Sequence, residues 1–124
     1  MSVVKGLALV EFYLAQYIDT TTSTYGKPIR NYDTPILLKF NVKPLSDSLD
    51  LSAYGERISR MYKAVIPNTE TNRDLFIEGS IAYLEGATPT GETNNGDNGN
   101  YLIVGNRPYN HSLHIYFEKL ESRN

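Results

Sequence analysis

At 124 residues and a formal net charge of −2, the chain has room for one ordinary core and lacks the basic excess of a protein that clamps nucleic acid. It is not acidic enough to read as disordered. With no cysteine, it is excluded from disulfides, thiolate zinc sites and thiol catalysis.

Near the start, Lys5 precedes the apolar run Gly6-Leu7-Ala8-Leu9-Val10, which Glu11 ends. That run is short for a signal peptide. No later window approaches a membrane span, so a soluble chain is expected. Residues 7–19 form the first element. Ala8, Val10, Phe12, Leu14 and Ile18 fall on one strand face, and Leu9, Glu11, Tyr13, Ala15 and Tyr17 on the other. A helical stripe of Leu7, Val10, Leu14 and Tyr17 runs through the same residues, but the aromatic and β-branched content favours a strand. Residues 20–28 read as a turn: four hydroxyl residues lead into Tyr25-Gly26-Lys27-Pro28.

Residues 34–43 give the clearest strand. Ile36, Leu38, Phe40 and Val42 alternate with Leu37, Lys39, Asn41 and Lys43, and Pro44 stops the ladder. A polar break over residues 43–57 follows, too long for a hairpin turn and of a length that is usually functional. It leaves room for one short helix between residues 49 and 58. Residues 58–66 are rich in β-formers but apolar on both faces, Tyr62, Ala64 and Ile66 against Met61 and Val65. Such a strand is covered on both sides, by a subunit interface or by a loop folded across it. Residues 67–73 read as a loop and 74–85 as a strand with Leu75, Ile77, Ile81 and Tyr83 on one face. Gly79 inside it suggests a bulge or sharp bend. Residues 87–100, rich in glycine and asparagine, form a polar surface loop. A short strand over 101–105, a turn over 106–110 and a last strand over 111–120, with Leu113, Ile115 and Phe117 inward, complete the chain. About six strands with turn signals at this spacing predict an all-β fold, a small single-domain β-barrel with long loops and the one short helix.

Chemistry is sparse. His111 and His114 fall on opposite faces of a strand and cannot share an ion without help from elsewhere. Placing Gly96 or Gly99 at the invariant glycine of a calcium loop puts Leu102 or Gly105 where a glutamate is needed. There is no phosphate-binding glycine loop and no nucleophile elbow, and the carboxylates are scattered, Asp47 with Asp50 being the nearest approach to a pair. Neither an enzyme nor a cofactor-binding or metal-binding protein is expected. Ten tyrosines are more telling, since tyrosine is enriched at interfaces. Tyr54, Tyr62, Tyr101, Tyr109 and Tyr116 stand out. Aromatic residues on a barrel could also stack single-stranded bases, as in an OB-fold, though that version wants a basic groove.

The order of motifs resembles the head-closure or stopper proteins, also called head–tail adaptors, of long-tailed phages. The carrying features are the first strand VEFYLAQYIDT, the turn Tyr25-Gly26-Lys27-Pro28-Ile29 and the strand ending Asn41-Val42-Lys43-Pro44. After these come Tyr54-Gly55-Glu56-Arg57, the strand Met61-Tyr62-Lys63-Ala64-Val65-Ile66-Pro67, a strand ending in Gly86, then Tyr101-Leu102-Ile103-Val104 and Arg107-Pro108-Tyr109. The resemblance spans nearly the whole chain. The loop over 87–100 looks longer than the family pattern.

What the resemblance implies is a β-barrel that assembles with copies of itself into a ring of twelve-fold or six-fold symmetry, below a portal or adaptor protein and above a tail completion or tail tube protein. Such a ring sits at the head–tail junction of the virion, is assembled in the host cytoplasm, closes the portal channel after DNA packaging and docks the tail. Genomic DNA passes through without sequence-specific binding, and no membrane is involved. By position, the channel-gating loop is the 43–57 break, with Asp47, Asp50, Leu51, Tyr54 and Gly55 as its residues. Duplex DNA carries about one charge per 1.7 Å, so a lining without basic excess lets it slide. A subunit interface is expected at Met61, Tyr62 and Val65 of the two-faced strand and at Tyr109 and Tyr116. The competing expectations are a tail completion or terminator ring of the same particle and an OB-like module for single-stranded nucleic acid.

Overall fold

The computed structural model describes residues 9–45, 55, 60–89, 95–96 and 98–120. Among the described residues there are nine strands, β1 (Val10–Ala15), β2 (Tyr17–Thr22), β3 (Pro28–Tyr32), β4 (Ile36–Phe40), β5 (Val42–Pro44), β6 (Met61–Pro67), β7 (Ile81–Tyr83), β8 (Tyr101–Pro108) and β9 (Ser112–Lys119). One short helix, α1 (Glu70–Leu75), lies between β6 and β7. Seven strands form one antiparallel sheet in the order β4-β1-β7-β8-β9-β6-β5, and β2 and β3 form a separate two-stranded sheet.

The outermost strands of the large sheet are β4 and β5, and a single residue, Asn41, joins them. The two edges are therefore one piece of chain. Its first half pairs with β1, in a register that sets Ile36 against Leu14 and Phe40 against Val10. Its second half pairs with β6, setting Val42 against Ala64 and Pro44 against Tyr62. A sheet whose opposite edges are covalently continuous must curl, and this one curls into a half-barrel around its apolar face. Pro44, expected to stop the ladder, is instead a paired residue of β5, and the Leu45 amide after it still bonds the Met61 carbonyl of β6.

The enclosed face is filled by Phe12, Leu14, Ala64, Ile66, Ala82, Leu84, Ile103, Leu113, Ile115 and Phe117, with Phe76 entering from outside the sheet. All four phenylalanines of the chain meet there. Phe12 lies edge-on to Phe117 at 5.7 Å between ring centroids, and Phe76 meets Phe40 at 5.5 Å and Phe117 at 6.3 Å. Edge-to-face contacts of this kind add about 0.5–1.5 kcal/mol each beyond the area they bury.

Helix α1 plugs one end of the half-barrel. Thr69 caps it, its hydroxyl accepting from the Asn72 amide at 3.1 Å, and Glu70 occupies the first turn where the helix dipole favours an acid. At the other terminus the Asn106 side chain donates to the carbonyls of Arg73 (3.1 Å) and Phe76 (2.6 Å), while Gln16 donates to the Leu75 carbonyl at 3.0 Å. These bonds satisfy carbonyls that a six-residue helix leaves open, and they hold Phe76 fully buried.

Several expectations are revised. The first strand is two, because Gln16 interrupts it; Phe12 and Leu14 face the core, whereas Ile18 lies beyond the break on β2 and is exposed. Most of the expected turn over 20–28 belongs to a hairpin, β2–β3, whose second strand carries too little apolar alternation to be visible in sequence. The strand over 34–43 changes neighbours at Asn41. The strand over 74–85 shrinks to Ile81–Tyr83, since Asp74 and Leu75 complete α1 and Gly79 sits in a turn at φ +94°. Thr69 as a cap was the overlooked signal there. The helix expected between residues 49 and 58 falls, apart from Gly55, outside the described residues. Strand β8 runs on to Pro108, with a register shift between Ile103 and Gly105.

The outer face of the two-faced strand β6 is covered by the chain at Met61 and left exposed at Val65. Leu45 packs on Met61 and Tyr116 and donates its amide to the Met61 carbonyl at 3.1 Å. Strand β7 is also buried on both faces: Ala82 points into the main core, and Ile81 and Tyr83 join Ala15 in a second cluster on the outside.

Replacing Phe76 with alanine is expected to cost about 3–5 kcal/mol, because it removes the ring that joins the plug to three other phenylalanines. Asn106→Ala should cost about 1–3 kcal/mol through the carbonyls it strands. Urea unfolding at constant m-value reads both. A Phe76→Ala midpoint indistinguishable from the parent would mean that α1 is an ornament of the fold and not its plug.

Candidate functional site

The mouth opposite α1 holds a stacked tyrosine pair and a carboxylate. Strand β7 leaves the sheet at Leu84, whose amide and carbonyl both bond the Asn100 side chain at 2.8 Å, so that this asparagine continues the ladder by imitating a backbone. The chain then turns through Glu85 (φ +60°) and Gly86 (φ +82°), closed by the Ala87 amide bonding the Leu84 carbonyl at 3.2 Å. Two consecutive positive φ values define a type I′ turn, which suits glycine at its second position and strains a glutamate at its first.

The strained residue puts a carboxylate among aromatic rings. Tyr62 of β6 and Tyr101 of β8 stack at 5.4 Å with their planes 10° apart, and the Tyr62 hydroxyl donates to Glu85 Oε2 at 3.2 Å. Lys119 Nζ stands 3.7 Å from Glu85 Oε1. Burial, then the nearby Glu85 charge, pushes the Tyr101 hydroxyl well above the ordinary tyrosine range; burial and the bond to Glu85 raise Tyr62 as well. Beside them Val10, Val42, Pro44, Leu84, Tyr62 and Glu85 line a cleft of about 180 Å³. The arrangement offers an apolar slot with an acidic rim. The tyrosine faces stack on each other, and the carboxylate beside them is bonded to Tyr62 and paired with Lys119.

The second feature is an arm. The Asp33 amide bonds the Gln16 carbonyl at 2.8 Å, which makes β1–β2 and β3–β4 one long hairpin with a bend. Its first half belongs to the half-barrel and its second half, β2–β3, leaves it. The Ser80 hydroxyl, fully buried, accepts the Tyr17 amide at 2.9 Å at the departure point, where Tyr17 and Tyr32 meet edge-on at 6.1 Å. The arm carries exposed Ile18 and Ile29, and at its tip Tyr25 is 92% exposed. A further cleft of about 440 Å³ separates Pro28, Ile29, Arg30 and Tyr32 of the arm from Ile81, Leu102 and Leu120 of the wall.

Of the residues expected in a gating loop, Asp47, Asp50, Leu51 and Tyr54 lie outside the described residues, and Gly55 is exposed with φ +60°. Four of the five residues expected at a subunit interface, Met61, Val65, Tyr109 and Tyr116, lie along the outer face of β6 and β9, and Tyr62 faces the other way. Met61 and Tyr116 are each 2% exposed beneath Leu45, and Lys63 and Arg107 both lie over the Tyr116 ring, so both are covered within the one chain. Tyr62 belongs to the mouth. Val65 and Tyr109 are half exposed further along that outer face, where Tyr109 packs on the His114 ring at 4.3 Å. His111 is exposed in the turn before β9, and among the described residues no three histidine or acidic side chains converge on a metal site. Tyr101 was visible among the tyrosines. Glu85 was not, although a single acid before Gly86 at a strand end is the pattern of a tight turn.

A raised phenol pKa means that the folded chain keeps its proton longer than the unfolded chain does. The stability due to Tyr62 and Tyr101 is therefore present below pH 10 and is lost as pH rises from 10 through the folded values. Glu85→Gln removes the charge but not the burial. Tyrosinate absorbance should show the two late-titrating groups shifting towards the ordinary range, with the alkaline loss of stability beginning and ending over a narrower pH interval. An unchanged titration in this variant would mean that Glu85 does not act on the pair.

No family model matches the chain, and no curated protein matches it. Among solved structures it is similar to the solution structure of protein SF1141 from Shigella flexneri 2a, at 13% sequence identity and a TM-score of 0.52, with 94% of this chain and 96% of that chain covered. The likeness is one of fold: both chains, over nearly their whole lengths, share this small all-β architecture.

Proposed function

We propose that this chain is a structural protein of a virion, a ring-forming component of the head–tail junction that closes the portal channel after DNA packaging and offers a docking surface to the tail. The observation that carries the reading is where the resembling motifs fall. Tyr25-Gly26-Lys27-Pro28-Ile29 forms the tip of the arm, and Asn41-Val42-Lys43-Pro44 forms the bend and the strand that bring the two sheet edges together. Met61–Pro67 is β6, Gly86 closes the turn at the mouth, and Arg107-Pro108-Tyr109 ends β8. Among the described residues the interior is filled by phenylalanine and aliphatic side chains, whereas the arm leaves apolar side chains in solvent. That distribution suits assembly better than catalysis. Portal or adaptor above, tail completion or tube protein below, and passing DNA are the partners this reading implies, and the gating role stays with the 43–57 break. The carboxylate beside Tyr62 and Tyr101 weighs against the rival reading as a single-stranded nucleic-acid module.

Imaging of intact particles tests the proposal directly. The chain is expected as a closed ring between portal and tail, and full heads made without it should leak DNA and accept no tail. Its absence from purified particles, together with salt-dependent retention of a single-stranded oligonucleotide, would sink the structural reading in favour of the rival.

A further inference from the structure

Just before β8 the chain ties the arm to the half-barrel. On the wall side the Asn100 side chain bonds both backbone groups of Leu84 at 2.8 Å. On the arm side Asn95 Nδ2 donates to the Tyr32 carbonyl of β3 at 3.3 Å. Gly96, buried at φ +86°, lies so close to the Tyr32 ring that a Cβ there would stand 2.9 Å from it. Tyr32 in turn packs on the outer cluster of Ala15, Ile81 and Tyr83. Both the backbone conformation and the close approach therefore require glycine after Asn95, and Asn95 itself is exposed to water.

We propose that Asn95 is a self-modification site and that loss of its amide loosens the arm from the half-barrel. Asparagine followed by glycine is the pair in which a chain most readily attacks itself, because the second residue has no Cβ to keep the side chain away from its nitrogen. The Gly96 nitrogen gives its proton to solvent base and bonds to Asn95 Cγ. The Cγ–Nδ2 bond then breaks, and the amide nitrogen takes a proton from solvent and leaves as ammonia. The cyclic imide adds one water: opening at Cγ leaves an aspartate, and opening at the backbone carbonyl leaves an isoaspartate whose main chain runs through the former side chain. Neither product keeps the donor that held the Tyr32 carbonyl, and each adds one negative charge to the formal −2. The second asparagine–glycine pair, Asn98-Gly99, differs in both respects. Its attacking nitrogen is engaged, the Gly99 amide bonding the Gly96 carbonyl at 3.3 Å, whereas among the described residues no acceptor takes the Gly96 amide. Its side chain holds the Thr88 carbonyl at 2.9 Å and not the arm. Once the Asn95 tether is gone, the root contacts remain, the Tyr17 amide on the Ser80 hydroxyl and the Asp33 amide on the Gln16 carbonyl, so the arm moves about its root and carries Ile18, Tyr25 and Ile29 with it. This chemistry belongs to the chain alone and is independent of the ring reading.

Ageing the full chain at mildly alkaline pH, followed by peptide mass mapping, tests the site. Amide loss should appear at Asn95 before Asn98 and before any asparagine that glycine does not follow, should speed up as pH rises, and should yield both aspartate and isoaspartate. Anion exchange separates the aged fraction by its added charge, and hydrogen exchange then reads the arm. Backbone amides of β2 and β3 should exchange about two- to tenfold faster than in fresh protein, the weight of one lost hydrogen bond, while those of β8 and β9 keep their rates. Asn95→Asp should reproduce the faster exchange without ageing. Asn95→Gln, whose longer side chain closes an imide ring far more slowly, should hold its arm exchange constant through the same treatment. If Asn95→Asp does not fold, the aged fraction, made from folded protein, still decides. Amide loss that reaches Asn98 first, or that is no faster at Asn95 than at asparagines without a following glycine, overturns the site. An aged fraction whose arm exchanges as fresh protein does overturns the release.

Discussion

The structure depends on four phenylalanines that come from four separate parts of the chain and meet in one place. Phe12 belongs to β1, Phe40 to the end of β4, Phe117 to β9, and Phe76 follows the helix. A curled sheet leaves a cylindrical interior that aliphatic side chains of two walls do not fill by themselves, and large rings span it. The cluster also explains the position of α1. A helix of six residues has little stability of its own, so it is held by what it carries: Phe76 in the core, and Asn106 and Gln16 on its open carbonyls. Remove the ring and the plug loses its anchor.

Closure is the second consequence of packing that local propensity does not describe. Residues 36–44 read correctly as β-formers, yet the decisive fact about them is the change of partner at Asn41, from β1 to β6. Alternation reports which face of a strand is buried and is silent about which neighbour lies at its edge. The inward faces of β9 were legible for that reason, with Leu113, Ile115 and Phe117 all fully buried. The arm was not legible, because Thr20, Thr21 and Thr22 and the residues opposite them have no buried face to impose a pattern. The helix was hidden for another reason: Leu75 and Ile77 are spaced like strand residues, and only the Thr69 cap distinguishes the two readings.

The candidate site was legible in its rings and not in its acid. Tyr62 and Tyr101 attract notice as tyrosines, but a stacked pair requires β6 and β8 to stand on either side of β9, and that is a property of sheet order. Glu85 reaches them only because its backbone accepts a left-handed conformation that costs roughly 1–2 kcal/mol in a residue with a Cβ. Asn100, bonded to both backbone groups of Leu84, holds the turn in that state. Strain supported in this way, beside a cleft, is a mark of positions that serve something other than stability.

The arm raises the same question from the opposite side. A two-stranded ribbon is marginally stable in water by itself, and this one is steadied at its base by the Tyr17–Tyr32 contact, the Ser80 hydroxyl, the packing of Tyr32 on Ile81 and Tyr83, and the Asn95 side chain on the Tyr32 carbonyl. It nonetheless leaves Ile18 and Ile29 in solvent, where each forfeits on the order of 1 kcal/mol or more of burial. Pro28 and Pro35 keep the open edge from recruiting stray strands, so the exposure is managed and not accidental. A ribbon that is protected against indiscriminate pairing and still displays Ile18, Ile29 and Tyr25 keeps apolar surface that its own fold does not use.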